Sequence, residues 1–255
     1  MVAIFGPLLY PFDPLSAEGG RLESPGTRFL FGTDSNGRDV LSRTMAGSRL
    51  SLYVGFLSVG FGTIIGSTVG IVSAYYGGHI DTAIQRVVDA MLAFPGLIFV
   101  LVLMVVLGPG QNSVVIAIGI FMIPGTSRVA RGAALSVMAE QYIEAIRALG
   151  GSAPRMIFRH VLPNVTAPII IMASIGLGNA IVAEAGLSFL GLGVPPPTPS
   201  WGRALSTEGR GVLEFAPWVS LAPGIALSLS VLAFNLVGDS IRDVLDPRLR
   251  GSRNN

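Results

Sequence analysis

The side chains able to do covalent or proton chemistry are few and widely scattered. All 17 basic residues are Arg, and the chain holds neither Lys nor Cys. A phosphate-binding Walker loop ends in Gly-Lys-Ser/Thr, so the chain cannot hydrolyse ATP in that way. Schiff-base, thiolate and cysteine-ligated metal chemistry are excluded with it. The two histidines, His79 and His160, lie far apart and belong to no His-Glu-x-x-His pattern. Gly186-Leu187-Ser188-Phe189-Leu190-Gly191 is one residue too long for a serine nucleophile elbow. The reading assigns no catalytic residue, no metal ligand and no cofactor to this chain. A net charge of +2 also gives no electrostatic footprint for nucleic acid.

The positions that could matter must therefore be presented by the elements around them, and those elements are apolar. Of 255 residues, 51% are hydrophobic and 13% charged, and the mean hydropathy is +0.65. A soluble fold has no way to hide that much apolar surface, so the chain belongs in a bilayer. About 20 apolar residues cross a membrane as a helix. Leu50–Tyr76 is uncharged and is the clearest span. Residues 90–127 are also uncharged but are interrupted by Gly108-Pro109-Gly110-Gln111-Asn112, which divides them into helices over about 90–107 and 113–127, the second short for a span and expected to run on into the next polar segment. Pro163–Ala183 and Phe215–Gly238 complete five spans. Met1–Phe12 is apolar and too short to cross, and reads as the outer end of a first, incomplete span. The expected fold is all-α with six spans.

Arg distribution sets the orientation. Segments 77–89, 128–160 and 239–255 carry 10 Arg and seven acids; segments 13–49 and 184–216 carry 7 Arg and eight acids. The first group, with the C-terminal tail 239–255, is expected in the cytoplasm, and 13–49 outside. In 13–49, Thr33 or Asp34 is expected to cap a short helix starting near Asn36.

Ionisable side chains inside spans usually mark ion coupling, and these spans are almost free of them. Glu184, near a helix end, is one candidate for the translocation path; Asn179 in the same span is a weaker one. Glu184 has a plainer alternative, a solvated charge at a helix end. A self-powered pump is disfavoured, leaving a passive path or one driven by a partner. In the first full span Ser58, Gly62, Gly66 and Gly70 recur every four residues, a small-residue face for close helix packing. Ordinary packing and movement against a neighbour during gating are the two readings of that face.

The most informative segment is 142–164. A helix over 134–149 is expected to end at Gly150, in the left-handed C-terminal position. Ser152 can cap a second short helix, with Pro154 in its first turn. Met156, Ile157 and His160 share one face; Arg155 and Arg159 share a neighbouring one. An exposed short helix with apolar faces should dock on another protein.

Glu144-Ala145, then Gly150, then Leu162-Pro163 resembles the EAA loop of ABC importer membrane subunits, with Ile146 in place of the second Ala and His160 where Ile is usual. Arg159-His160-Val161-Leu162-Pro163-Asn164 is similar to the form in the peptide and nickel branch. So are Gly32-Thr33-Asp34 through Arg43, Ala183-Glu184-Ala185-Gly186-Leu187-Ser188-Phe189-Leu190-Gly191-Leu192-Gly193, and Asn235 through Arg250. The resemblance runs over about residues 29–250 and is strongest to the C-type permeases of dipeptide and oligopeptide importers. It implies a type I importer transmembrane domain over 50–238 with its coupling loop at 128–162, in the bacterial inner membrane. It also implies four partners: a homologous B-type permease, two ABC ATPase subunits that bind ATP and Mg, an extracytoplasmic solute-binding protein, and membrane lipid. ATPase coupling would fall to Glu144, Ala145, Gly150, Arg155, Met156, Arg159, Leu162 and Pro163. Nickel or haem are alternative cargoes. A stand-alone channel or carrier, and an intramembrane enzyme, are the competing classes; the latter lacks any nucleophile and base pair.

Overall fold

The computed structural model describes Gly6 and residues 10–245. Most of the 1–12 stub and the tail from 246 lie outside the described residues. Every regular element among the described residues is helical, with two isolated β-bridges, Ala17 to Arg38 and Thr33 to Asp39, in the 13–49 segment.

α1 (Val40–Tyr76) has 37 residues, about 55 Å at 1.5 Å per residue, and so outruns a hydrocarbon core of roughly 30 Å. It starts ten residues before the uncharged stretch, and its cap is not the expected one. Asp39 Oδ2 accepts the Ser42 N–H at 2.6 Å, so Asp39 caps the helix. Thr33 and Asp34 fold a turn instead: Asp34 Oδ1 accepts the N–H groups of Asn36 and Arg38 at 2.8 and 3.0 Å. Within the extension the Thr44 hydroxyl donates back to the Val40 carbonyl at 2.7 Å, so its polar group needs no water.

The segment 77–89, expected as a polar connection, is mostly helix. α2 (Gly78–Leu92) meets α3 (Gly96–Leu107) at 94°. The cause is Pro95, which lacks an N–H and pushes Phe94 away from the helical region. α3 alone has 12 residues, about 18 Å, so the span expected over 90–107 exists only as part of this bent pair. α4 (Gln111–Met138) runs well past Ser127. α5 (Gln141–Ala148) is a separate helix, because the expected 134–149 helix breaks at Ala139–Glu140. α6 (Ala153–Met156), a π turn (Ile157–Val161) and α7 (Leu162–Phe189) follow without a break. The π turn sits just upstream of Pro163, where the ladder has no donor. A short helical run, Trp201–Arg203 continuing as Ala204–Glu208, precedes α8 (Trp218–Leu245).

Among the described residues four helical runs are long and apolar enough to cross a membrane, or five if the bent pair is one span. The chain divides into two compact units. Of the described residues, one comprises those up to 57 with 101–117 and 177–233, the other 58–100, 118–176 and those from 234 on. In the first, Val40, Ala216 and Val219 form a small core against Leu22, Val212 and Trp218. In the second, Ile71 and Ala74 of α1, Ala130 and Ala134 of α4, and Val161 and Val165 around the start of α7 form a buried cluster.

Candidate functional site

The link between α5 and α6 is a tight elbow. Gly150 has φ +79, a conformation that costs an L side chain about 1–2 kcal/mol. Its N–H donates to the Arg147 carbonyl and that of Gly151 to the Ile146 carbonyl, both at 3.0 Å, which is the Schellman closure of a helix. Ser152 occupies the N-cap position of α6 with extended backbone, but its hydroxyl makes no capping bond; Pro154 falls in the first turn.

Three apolar side chains anchor the elbow. Ile143, Met156 and Val161 are completely buried. Met156, expected as a surface contact, is therefore a core residue: a four-residue helix has one inward face, and Met156 occupies it. Asn164 Nδ2 donates to the His160 carbonyl at 2.6 Å and to the Tyr142 hydroxyl at 3.3 Å, tying α5 to the π turn. Val161 and Val165 then pack on Ile71, Ala74, Ala130 and Ala134, so the elbow is wedged directly against α1 and α4.

What the elbow exposes is a mixed basic and apolar surface. Glu144, Ala145, Gly150, Arg155, Arg159 and Pro163 are exposed, and Leu162 is half-buried. Leu149 is 88% exposed and Phe158 69%. Neither was singled out from the sequence. Phe158 was legible: it stands three residues beyond Arg155 and next to Arg159, on the arginine face. Leu149 and Phe158 make, with Arg155 and Arg159, a surface that the chain itself leaves uncovered.

The small-residue face of α1 meets α4. A Cβ on Gly62 would lie 2.7 Å from both the Gly119 carbonyl oxygen and Met122, and one on Gly66 2.8 Å from Thr126. Gly70 abuts Ser127 and Arg131, and a Cβ on Gly119 would lie 3.2 Å from the Ser58 carbonyl oxygen. The backbones are in contact along three turns. Two arginines of α4 are neutralised from α2, Arg131 by Asp81 (Nε to Oδ1 2.7 Å) and Arg128 by Asp89. Ser73 also donates to Asp81. These pairs explain why α4 continues beyond its apolar stretch.

The segments 13–49 and 191–217 are joined by an ionic network. Arg38 Nε lies 2.7 Å from Asp34 Oδ2, and Arg43 Nε 3.3 Å from the same oxygen. Arg43 also reaches Glu208 at 3.0 Å, and Arg38 does so at 3.4 Å. Burial lowers the pKa of Arg203, against which nearby Glu208 raises it. Burial also raises the Asp39 carboxyl, and burial together with the Asp39 charge pushes the Tyr10 phenol up to about 12.

Glu184 is neither a solvated helix end nor a lining of an open path. It is completely buried and accepts hydrogen bonds from Ser188 at 2.8 Å, Ser200 at 3.1 Å and Ser51 at 3.1 Å. Of its roughly four acceptor sites, three are taken by neighbours in its own chain. Asn179, on the same helix, is exposed.

These apolar helical runs and the elbow that joins α5 to α6 describe a multi-span helical membrane protein. Residues 66–251 match the model of the binding-protein-dependent transport system inner membrane components, and the chain belongs to that family. It is 43% identical over 251 residues to a dipeptide transport system permease protein DppC from Alkalihalophilus pseudofirmus, covering 98% of this chain and 82% of that one. It is 41% identical to a glutathione transport system permease protein GsiD from Pectobacterium atrosepticum, covering 98% and 83%. Its fold is similar to a chain of the inward-facing MetNI methionine ABC transporter, with a TM-score of 0.63 at 19% identity over 81% of this chain and 96% of that one. The architecture is that of a type I ABC importer transmembrane subunit.

Proposed function

We propose that this chain is the C-type permease of an ATP-driven importer of short peptides in the bacterial inner membrane. A B-type permease completes the path, and two ATPase subunits bind ATP and Mg. An extracytoplasmic solute-binding protein delivers the cargo. The observation that carries the reading is the elbow: an exposed face of Leu149, Arg155, Phe158 and Arg159 backed by a core that reaches α1 and α4. A motor docked there pushes on packed helices rather than on a loop, and alternating access follows as two packings of the same spans. The elbow and the C-terminus face the cytoplasm, in keeping with the Arg distribution; segments 13–49 and 191–217 face outward and receive the binding protein. With Glu184 enclosed, exposed Asn179 is the remaining one of the two path candidates on α7. α8 is only 11% buried over its apolar window, which suits a helix facing lipid and a second permease. The relatives named for dipeptide and glutathione transport support a short-peptide cargo.

Reconstitution in liposomes tests this. Uptake of labelled dipeptide is expected only when both permeases, the ATPases, the binding protein and ATP are present. Peptide flux through this chain alone overturns the reading in favour of a channel or carrier. Uptake of nickel or haem without peptide uptake overturns the cargo.

A further inference from the structure

Glu184 is enclosed within its own chain, and its burial is expensive. A carboxylate taken out of water costs several kcal/mol unless well compensated, and well-packed apolar residues of similar volume are often as stable. Its partners are three hydroxyls rather than a cation. They come from three places: Ser51 from α1, Ser188 from α7, and Ser200 from the 191–217 segment. Two oxygens that only accept are well suited to gathering donors from three directions.

The residue after Ser200 repeats the connection. The Trp201 indole Nε1 donates to the Thr44 carbonyl at 2.8 Å, and a Cβ on Gly47 would stand 2.9 Å from the Trp201 ring. Gly202 lies against the backbone of Ala185, the neighbour of Glu184. Ser200 to Gly202 are thus knotted to α1 and α7, with Glu184 at the centre.

We propose that Glu184 is a positioning residue that clamps the 191–217 segment to α1 and α7, so that a solute-binding protein docking on that segment acts on the helices behind it. This rests on the proposed docking of the binding protein on that side. Without the carboxylate the segment still receives the protein but no longer transmits its arrival.

The test uses the complete transporter in liposomes and reads binding-protein affinity, stimulation of ATP hydrolysis by loaded binding protein, and peptide uptake. In Glu184→Ala, docking affinity is expected to stay within about twofold while stimulation and uptake fall about thirtyfold, the scale of three hydrogen bonds worth about threefold each. Glu184→Gln keeps an accepting oxygen and is expected to restore most of the loss. Ser200→Ala removes only the donor in the segment and is expected to lower stimulation about threefold. A folded Glu184→Ala stimulated like the wild type overturns the clamp. If Glu184→Ala fails to assemble, Ser200→Ala decides: lowered stimulation with unchanged docking supports the clamp, and wild-type stimulation overturns it. A Pro195→Cys label, unique in a chain without cysteine, separates the two readings. No crosslink to the binding protein removes the docking site and the clamp with it. A crosslink with wild-type stimulation in Glu184→Ala removes the clamp alone.

Discussion

Gly66 and Ile123 approach so closely that a Cβ on the glycine would stand 2.7 Å from the isoleucine carbonyl oxygen. No side chain fits between these backbones. Gly62 and Gly119 repeat the relationship at 2.7 Å, so α1 and α4 are held by main-chain contact. Dispersion at such short range is lost over small separations.

Gly66→Val should therefore force the helices apart and cost about 1–3 kcal/mol, the usual range for overpacking. The melting temperature in detergent is expected to fall and uptake to fall with it. Gly60→Ala, where nothing lies within 4 Å of the new methyl, is expected to leave both unchanged.

Gly150→Asp should leave membrane insertion intact and uncouple transport. The site has open space around it, so the penalty is the positive φ, about 1–2 kcal/mol, and the added negative charge alters the arginine-bearing surface proposed to meet the ATPase. ATP-dependent uptake is expected to drop about tenfold at normal membrane abundance. Unchanged uptake would count against a coupling elbow.

Phe158→Asp and Met156→Ala should fail differently. The first alters an exposed ring and is expected to weaken co-purification of the ATPase subunits at unchanged thermal stability. The second empties a buried site and is expected to cost about 2–5 kcal/mol, read as a lower melting temperature.

Asp81 and Arg131 should show a coupling free energy in a double-mutant cycle with Asp81→Asn and Arg131→Gln. Both side chains are partly shielded, 16% and 30% exposed, so about 0.5–2 kcal/mol is expected from thermal unfolding, above the level of a solvated pair. Additive single effects would mean that the pair contributes nothing.

The apolar stretches, the small-residue stripe and the Gly150 elbow could be read from the sequence because each is a local pattern. What escaped depends on partners distant along the chain. That α4 runs on past Ser127 was legible in the shortness of its apolar stretch; that Asp81 and Asp89, about 40 to 50 positions earlier, neutralise Arg131 and Arg128 was not. Glu184 is enclosed because Ser51, 133 positions away, and Ser200, 16 away, supply its donors. Met156 turned inward because tertiary packing, rather than periodicity, orients a helix of four residues. The bend at Pro95 had a local signal, since proline ends helices, but the uncharged run through it masked the break.

The π turn at Ile157–Val161 sets an angular phase. Each residue of an α-helix advances the side chain by about 100°, so one residue gained or lost in that turn would swing Arg155 around the axis while the span beyond Pro163 kept its azimuth. The heading of the surface proposed to meet the motor is thus written into a single register position, and a one-residue deletion there would misaim it without touching Arg155.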